Sequence, residues 1–363
     1  RSTLSYVYPP GEGIPRGGSI SMGQENNTVI VTGGAGYIGS HVVLKLLNAG
    51  YVPVILDNFS NSSPSAVGSL EEISRTEIEV VDMDIRDESG LASLLPRIQP
   101  WAVVHCAGLK AVGESVISPL LYFDQNVGGT ITLLKQMDKV GCRRVVFSSS
   151  ATVYGETGQV PSFEDSPARP FNPYGRTKFF IEEIIRDWCA VGEGRSAALL
   201  RYFNPIGADK SGLIGENPKG IPNNLMPLIL KVAARKLKQL SIYGGDYDTP
   251  DGTGIRDYIH VDDLARGHIA AMEFTERKKG ADVFNLGTGI GVSVLELISS
   301  FERVTGQTVP YRITARRPGD VPIYLADPSH ARRVLDWWAV LDIDRMCADS
   351  WRFQKNCLAN NYG

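Results

Sequence analysis

The sequence predicts an α/β fold, a Rossmann-type doubly wound parallel sheet with a smaller C-terminal α/β lobe. Two observations support this prediction. Strand patterns alternate with helical patterns up to about residue 204, which is typical of βαβ units and a parallel sheet. A glycine turn, GGAGYIG, also separates the first strand from the first helix, as in folds that bind dinucleotides.

The individual elements follow the hydrophobic periodicity. Apolar runs predict strands at 29–31, 52–56, 78–81, 102–105, 144–148 and 197–202. Amphipathic patterns predict helices at 38–48, 88–98, 119–140 and 174–191, and later at 225–236, 261–275 and 293–305. Gly50 is a candidate C-terminal cap of the first helix.

The chain changes character after Asn204, where loops lengthen and become rich in glycine and proline. We therefore expect a nucleotide-binding Rossmann domain at 28–204, and at 205–363 a mainly substrate-binding lobe that interleaves with the main sheet. Residues 1–27 are rich in Gly, Pro and Ser and lack the apolar run of a signal peptide. We expect them to be a disordered extension or a remnant of an expression vector.

Composition excludes several classes of protein. The formal net charge of -3 and the pI of about 6.0 give no general attraction to nucleic acid or anionic lipid. No apolar run approaches the roughly 18 residues that a membrane span needs. The five cysteines form neither a CxxC motif nor a cluster with histidine, so we expect no metal site, no disulfide framework and a reducing compartment.

The glycine turn predicts a dinucleotide site. Gly33, Gly36 and Gly39 let the backbone approach a pyrophosphate, and the helix that follows offers its free N–H groups. Asp57 ends the next strand, where a carboxylate binds ribose hydroxyls and repels a 2′-phosphate, so NAD is favoured over NADP. A purely structural turn is the alternative here, and it is the interpretation we prefer for the second glycine run at 285–291.

A candidate acid/base pair follows the fifth strand. Ser150 and Thr152 stand at the carboxyl end of that strand, where open α/β sheets bind ligands. Tyr174 and Lys178 then share one face of the next helix at i and i+4. The ammonium should lower the pKa of the phenol, so that the tyrosine can accept and return a proton. Tyr-x-x-x-Lys also occurs by chance in helices, but the glycine turn and the serine-rich strand end favour catalysis.

These motifs give the chain a resemblance to the extended short-chain dehydrogenase/reductases, and within them to the UDP-hexose 4-epimerases, over residues 28–355. The resemblance rests on GGAGYIGSH, HCAGLKAVGES, FSSSATVYG, NPYGRTK, LRYFNPIGA, GIPNNLMP, DGTGIRDYIHVDDLA and RRPGD. It implies that Tyr174 is the acid/base, that Lys178 lowers its pKa and holds the nicotinamide ribose, and that Ser150 and Thr152 orient the sugar 4-hydroxyl.

The resemblance also implies two sets of contact residues. The implied NAD contacts are Gly33, Gly36, Tyr37, Ile38, Asp57, Asn58, Phe59, Ser60, Asn61, Asp84, Ile85, Cys106, Ala107, Lys110, Asn126, Tyr174, Lys178 and Tyr202. The implied UDP-sugar contacts are Lys110, Ser150, Ala151, Thr152, Tyr174, Phe203, Asn204, Asn223, Asn224, Leu225, Ser241, Ile242, Tyr243, Arg256, Arg317, Asp320 and Tyr324. Arg256 and Arg317 supply the local positive charge that a diphosphate needs in an acidic chain.

The implied activity is interconversion of UDP-galactose and UDP-glucose through a transient 4-keto sugar, with tightly bound NAD, in galactose metabolism. Tyr324 should narrow the hexose pocket and leave little activity on UDP-N-acetylhexosamines. The resemblance further implies a cytoplasmic homodimer that pairs the helices near 119–140 and 174–191. The alternatives are an NAD-dependent nucleotide-sugar dehydratase or decarboxylase, and a non-catalytic NAD-binding protein.

Overall fold

A computed structural model describes residues 26–156, 159–219, 222, 224–317 and 320–359. The extension expected at 1–27 therefore lies almost wholly outside the described residues, and so does Asn223. Within these ranges, no helix is long and apolar enough to cross a bilayer. All five cysteines are free thiols.

The strands, in chain order, are β1 (Thr28–Thr32), β2 (Val52–Asp57), β3 (Glu79–Asp82), β4 (Ala102–His105), β5 (Arg144–Ser150), β6 (Ser196–Tyr202), β7 (Asn204–Ile206), β8 (Leu240–Tyr243), β9 (Ile255–His260), β10 (Gly280–Leu286), β11 (Gly291–Ser293), β12 (Tyr311–Thr314) and β13 (Ile323–Tyr324). The helices are α1 (Tyr37–Asn48), α2 (Pro64–Ser74), α3 (Glu88–Ile98), α4 (Val112–Ile117), α5 (Pro119–Tyr122), α6 (Gly129–Lys139), α7 (Pro173–Val191), α8 (Leu225–Ala233), α9 (Val261–Arg277), α10 (Val294–Thr305), α11 (Ser329–Leu335) and α12 (Ile343–Ala359). A π-helical segment (Phe123–Gly128) joins α5 to α6, and a 3₁₀ turn (Ala151–Val153) follows β5.

The main sheet has seven parallel strands in the order β10-β6-β5-β4-β1-β2-β3. This is the doubly wound arrangement, in which the order reverses between β1 and β4 and ligands bind beyond the carboxyl ends of the strands. The predicted fold class and the six predicted strands are confirmed. The seventh strand, β10, was not predicted, and it joins the sheet from the second half of the chain.

Helices cover both faces of this sheet because its strand side chains alternate between two cores. Val29 and Val31 of β1 pack with α1, α2 and α9, whereas Ile30 between them packs with α3, α6 and α7. Burial on both faces explains why these strands are almost continuously apolar.

Two predicted helices concern the site, and one of them differs from expectation. Helix α7 begins at Pro173, as its sequence favours, and the Asn172 side chain caps it by accepting a hydrogen bond from the Gly175 N–H at 2.8 Å. The helix expected at 119–140 is instead interrupted by the π-helical segment, which turns Asn126 into the interior.

The second half of the chain builds a smaller lobe. Strands β11, β9, β13 and β7 form one sheet and β12 pairs with β8 in another, over a core formed with α8, α10 and α12. The second glycine run begins in the last two residues of β10, and the buried Asp257 carboxylate accepts hydrogen bonds from the Thr288 and Gly289 N–H groups in it. This run is therefore part of the packing of the lobe. The division of the chain near residue 204 stays a prediction.

Candidate active site

A cleft of about 740 Å³ lies at the carboxyl ends of β1, β2, β4 and β5. Its volume suits a large cofactor, and its place is the one where doubly wound sheets bind nucleotides. Of the predicted cofactor contacts, its walls include Gly33, Gly36, Tyr37, Ile38, Asp57, Asn58, Ser60, Asn61, Ile85, Cys106, Ala107 and Lys110. The fold therefore brings together predicted residues from four separate segments of the chain.

The glycine turn forms one end of this cleft. Gly33 adopts a left-handed conformation with a φ of 67°, and a Cβ atom there would lie 2.8 Å from the Ala107 nitrogen. A Cβ atom on Gly39 would lie 2.1 Å from the Gly33 carbonyl oxygen. Helix α1 begins without a side-chain cap, so its first N–H groups are free to bind an anion. The turn therefore fits the pyrophosphate of a dinucleotide.

Asp57 lies at the adenosine end, at the terminus of β2. Its carboxylate accepts hydrogen bonds from the Ala35 N–H at 3.0 Å, the Phe59 N–H at 2.9 Å and the Ser62 hydroxyl at 2.8 Å. A carboxylate has about four acceptor positions, so a ribose hydroxyl can still bind one of them. These bonds hold Asp57 as the sequence predicts for an NAD site.

Two lysines connect the second half of the chain to the cleft. The Lys110 ammonium lies 3.1 Å from Glu216, which also accepts a hydrogen bond from the Asn224 amide at 2.9 Å. The Lys219 ammonium donates to the Phe59 carbonyl at 2.8 Å, beside the adenosine end. Glu216 was not predicted as a site residue, since its loop carries no recognisable motif.

Asp84 does not line the cleft itself but holds the cleft residue Asn58 by a hydrogen bond. It accepts hydrogen bonds from the Asn58 amide and the Arg86 guanidinium, each at 3.0 Å. The Arg86 bonds hold the pKa of Asp84 at about 2, so its carboxylate stays charged. Ile85, next in the chain, contributes to the wall itself.

Two other predicted cofactor residues are buried beside the cleft. Asn126 binds the backbone of Leu109 through both its amide oxygen, at 2.8 Å, and its amide nitrogen, at 3.1 Å. The Tyr202 hydroxyl forms a hydrogen bond with His268. In this structure both side chains therefore orient the segments around them.

The candidate catalytic groups lie together at the end of β5. The Lys178 ammonium donates to the Ser148 carbonyl at 2.7 Å, and the Thr152 hydroxyl donates to the Ser150 hydroxyl at 2.9 Å. The Tyr174 N–H donates to the Ser115 hydroxyl, which was not predicted, at 3.2 Å. The predicted constellation of Ser150, Thr152, Tyr174 and Lys178 is therefore assembled where β5 meets α7.

The charge balance at Tyr174 differs from the prediction. Burial raises the pKa of the Tyr174 phenol, and a hydrogen bond with Ser150 lowers it. Lys178, which was expected to lower this pKa, lies with its ammonium 5.9 Å from the phenol ring centre and bonded to Ser148 instead. Burial also lowers the pKa of Lys178 to about 8. Desolvation therefore has a larger effect than Lys178 on the pKa of Tyr174 in this structure. A lowered pKa of Tyr174 stays a prediction for the protein with its cationic nicotinamide bound.

The predicted hexose contacts form a small aromatic cluster. The rings of Phe203 and Tyr324 pack at a tilt of 38° with their centres 5.6 Å apart, and the Tyr324 hydroxyl donates to the Ala151 carbonyl. Burial raises the pKa of Tyr324, so the phenol is neutral. A bulky, fixed ring therefore lies beside the end of β5.

The predicted diphosphate contacts form a charged cluster. Asp320 lies between two arginines, 3.7 Å from the Arg256 guanidinium and 3.5 Å from that of Arg317. The Arg317 guanidinium also stacks over the Tyr243 ring at 4.3 Å. The structure thus places two exposed or half-exposed cations side by side, as an anionic ligand requires.

The remaining substrate candidates have mixed surroundings. Asn204 begins β7 and pairs with Tyr258, and Leu225 is the first residue of α8. Ser241 accepts a hydrogen bond from Arg312, while the side chain of Ile242 is buried in the core of the lobe. Ile242 can therefore meet a ligand only through its backbone.

Comparison with known proteins gives consistent matches along the chain. Residues 29–287 match the family model described as the NAD dependent epimerase/dehydratase family. The chain is 52% identical to a UDP-glucose 4-epimerase of Bacillus subtilis over 328 residues, which cover 90% of this chain and 97% of the relative. It is also 52% identical to a human UDP-glucose 4-epimerase over 334 residues, covering 90% and 96%.

Solved structures show the same similarity in three dimensions. A UDP-glucose-4-epimerase from Stenotrophomonas maltophila, with bound NAD and formylated UDP-arabinopyranose, superposes with a TM-score of 0.90 at 47% identity, covering 92% of this chain and 99% of the other. One from Bifidobacterium longum, in complex with NAD+ and UDP, gives a TM-score of 0.87 at 49% identity, covering 91% and 98%.

Proposed function

The chain belongs to the NAD dependent epimerase/dehydratase family, and on this premise we propose that it interconverts UDP-galactose and UDP-glucose by inverting C4 of the hexose. It is an NAD-dependent epimerase, as are its relatives at about 52% identity. One observation supports this reaction above all others. Tyr174, Lys178 and Ser150 lie together at the end of β5, beside the dinucleotide cleft.

The chain's own residues handle the proton and the orientation of the sugar. NAD, when bound, supplies hydride uptake and return at C4. Tyr174 accepts the proton of the 4-hydroxyl and later returns it, while Ser150 and Thr152 hold that hydroxyl in place. Lys178 lies close enough to stabilise the phenolate once the cofactor adds its positive charge.

The substrate is a UDP-sugar, because the similar solved structures contain formylated UDP-arabinopyranose or UDP. Arg256 and Arg317 bind the diphosphate. Asp320, whose carboxylate neutralises these two arginines in the ligand-free structure, then hydrogen-bonds to the ribose of the ligand. The 4-keto sugar formed after the first proton and hydride transfer turns within the site, so that its opposite face receives the hydride. Tyr324 limits the space beside the hexose and favours unmodified sugars.

The assembly and compartment are part of the same proposal. The protein works as a homodimer in the cytoplasm. Free thiols at all five cysteines suit a reducing compartment. The exposed apolar residues on α4, α5 and α7 supply a surface for a second copy.

The test is incubation of the purified protein with UDP-galactose and measurement of UDP-glucose. Wild type should form it, and Tyr174→Phe should lose roughly a hundredfold or more of the rate, because the acid/base is removed. Tyr311→Phe, at an exposed tyrosine far along the chain, is the matched control and should match wild type. A 4-keto-6-deoxy product would instead indicate a dehydratase, and no product at all would indicate a non-catalytic protein.

A further inference from the structure

Three successive serines at the end of β5 each meet one residue of α7. Ser148 accepts from the Lys178 ammonium at 2.7 Å, Ser150 hydrogen-bonds to the Tyr174 phenol, and the Ser149 hydroxyl donates to the Glu182 carboxylate. Residues 174, 178 and 182 are spaced by four, so they lie along one face of the helix. The Tyr-x-x-x-Lys motif accounts for the first two of these residues and gives no role to the third.

Glu182 is held in a buried ion pair. It is fully buried, and Arg201, on β6, is 3% exposed. The guanidinium donates two hydrogen bonds to the carboxylate, at 3.0 and 2.6 Å, and packs over the Tyr154 ring at 4.6 Å. Arg201 therefore fixes the position of the carboxylate and supplies its ion-pair partner.

Such a pair is weak evidence for stability. Moving two charges out of water costs several kcal/mol per ion, and apolar residues of the same volume often serve a core as well or better. The pair in this protein lies one helical turn beyond Lys178, which points to a role in the site.

The charges around Lys178 indicate what that role is. Burial lowers the pKa of Lys178, while Cys106 and Glu182 raise it. Burial also raises the pKa of the Cys106 thiol to about 12, so at neutral pH Cys106 carries no charge. His105 is likewise neutral, because burial lowers its pKa to about 3. Tyr174, whose pKa is raised by burial, is a neutral phenol.

One neighbour on the adjacent strand β6 completes this inventory. Burial raises the pKa of Tyr202 well above its usual value, so its phenol is neutral too. Of the groups that face Lys178 in the described part of the chain, Glu182, in its ion pair with Arg201, is then the one carboxylate beside a neutral thiol, imidazole and phenols.

We propose that Glu182 is a positioning residue for the reaction: held by Arg201 and Ser149, its carboxylate keeps Lys178 charged and fixes the end of β5 against α7. The inference rests on the proposed function, in which Tyr174 and Lys178 act together on the sugar hydroxyl. Glu182 itself touches neither sugar nor cofactor and acts through Lys178.

The experiment compares Glu182→Gln with Glu183→Gln, the same chemical change one residue along, at a half-exposed side chain paired with Arg186. In Glu182→Gln the ammonium of Lys178 loses the attraction of the Glu182 carboxylate and should deprotonate about one pH unit lower, a tenfold change in the equilibrium. The alkaline limb of kcat/KM should move down by the same amount, with KM for the sugar nucleotide unchanged. Glu183→Gln should behave as wild type.

A direct measurement separates this inference from the proposed function. Carbon-13 NMR of the Lys178 side chain, assigned by its loss in Lys178→Met, follows the ionisation without any turnover. A lower titration midpoint in Glu182→Gln supports the inference even if the substrate assignment fails. An unchanged midpoint and pH profile, with only a lower Tm, would overturn it and leave a structural ion pair.

The double variant Glu182→Gln/Arg201→Gln covers the case in which the single variant fails to fold. It removes both charges and leaves two amides that can hydrogen-bond to each other. The Lys178 midpoint should again be lowered, because the carboxylate is gone. Return of the midpoint and of the pH profile to the wild-type values would contradict the inference.

Discussion

Tyr324 determines how much space the hexose has at the end of β5. Its ring packs at a tilt against that of Phe203, and its hydroxyl donates to the Ala151 carbonyl. Replacing it by cysteine removes the ring and opens room for an N-acetyl group at the sugar. We expect Tyr324→Cys to gain activity on UDP-N-acetylgalactosamine of at least about tenfold, within the range of about 1–3 kcal/mol that pocket size alone controls.

The control is Tyr324→Phe, which keeps the ring and loses only the hydroxyl. Product formation from both sugar nucleotides, measured side by side, checks the prediction. Tyr324→Phe should stay selective for UDP-galactose. If wild type already converts UDP-N-acetylgalactosamine well, the ring does not act as the gate.

At the same scale, the spacing of Tyr174 and Lys178 was enough to predict that they share a helix face. It was not enough to predict which group the ammonium binds, because Ser148 lies on another element and its approach depends on packing. Nor could the spacing predict that burial raises the pKa of Tyr174 in the ligand-free structure, because burial of the phenol is a property of the folded chain.

The N-terminus of α7 is the element on which the catalytic tyrosine depends. Tyr174 is the second residue of this helix, and the Asn172 side chain binds the Gly175 N–H. Asn172→Ala should destabilise the protein by about 1 kcal/mol through loss of the cap. It should also lower kcat, because fraying of the first turn displaces the phenol.

The matched control for this cap is Asp87→Ala. Asp87 caps α3 through the Gly90 N–H at 3.0 Å, on a helix that bears no site residue. Thermal unfolding should show a similar loss for both variants, while the epimerase rate should fall only in Asn172→Ala. Equal rates in the two variants would mean that the cap does not position Tyr174.

At the scale of elements, local patterns predicted the first six strands and the helices that bear the glycine turn and Tyr174. The missed elements have weaker patterns. Strand β10, GADVFNL, contains Asp282 and Asn285, and it pairs with β6 about eighty residues earlier. The π-helical segment was not predicted because it has only six residues. Over that length the spacing of apolar residues does not distinguish a π-helix from an α-helix.

On the scale of the whole molecule, the dinucleotide cleft needs both halves of the chain. The Tyr37 hydroxyl donates to the Gly207 carbonyl at 2.8 Å, and Lys219 binds the Phe59 carbonyl. Helix α9 of the second half packs directly on α1. A sequence pattern indicates local structure only. It therefore predicted a change in loop composition near residue 204, but it could not predict the contacts between the two halves of the chain.

The surface formed by α4, α5 and the exposed side of α7 is the proposed interface between two copies of the chain. Their inward residues, such as Ile181 and Ile185, pack on the sheet, so they are not available to a partner. Other apolar side chains face outward: Ile117 is 84% exposed and Leu120 is 81% exposed, and Phe180 is exposed as well. A cluster of this kind on helices is suited to a helix-to-helix interface between two copies.

We expect the double variant Ile117→Asp/Leu120→Asp to be a monomer, because two charges on each copy would be buried without partners in the interface. Sedimentation velocity at micromolar protein should give the mass of two chains for wild type and of one chain for the variant. Ile290→Asp, at an exposed apolar residue away from these helices, should leave the dimer intact. A wild-type protein that sediments as one chain would contradict the dimer, and a variant that still sediments as two chains would place the interface on another face.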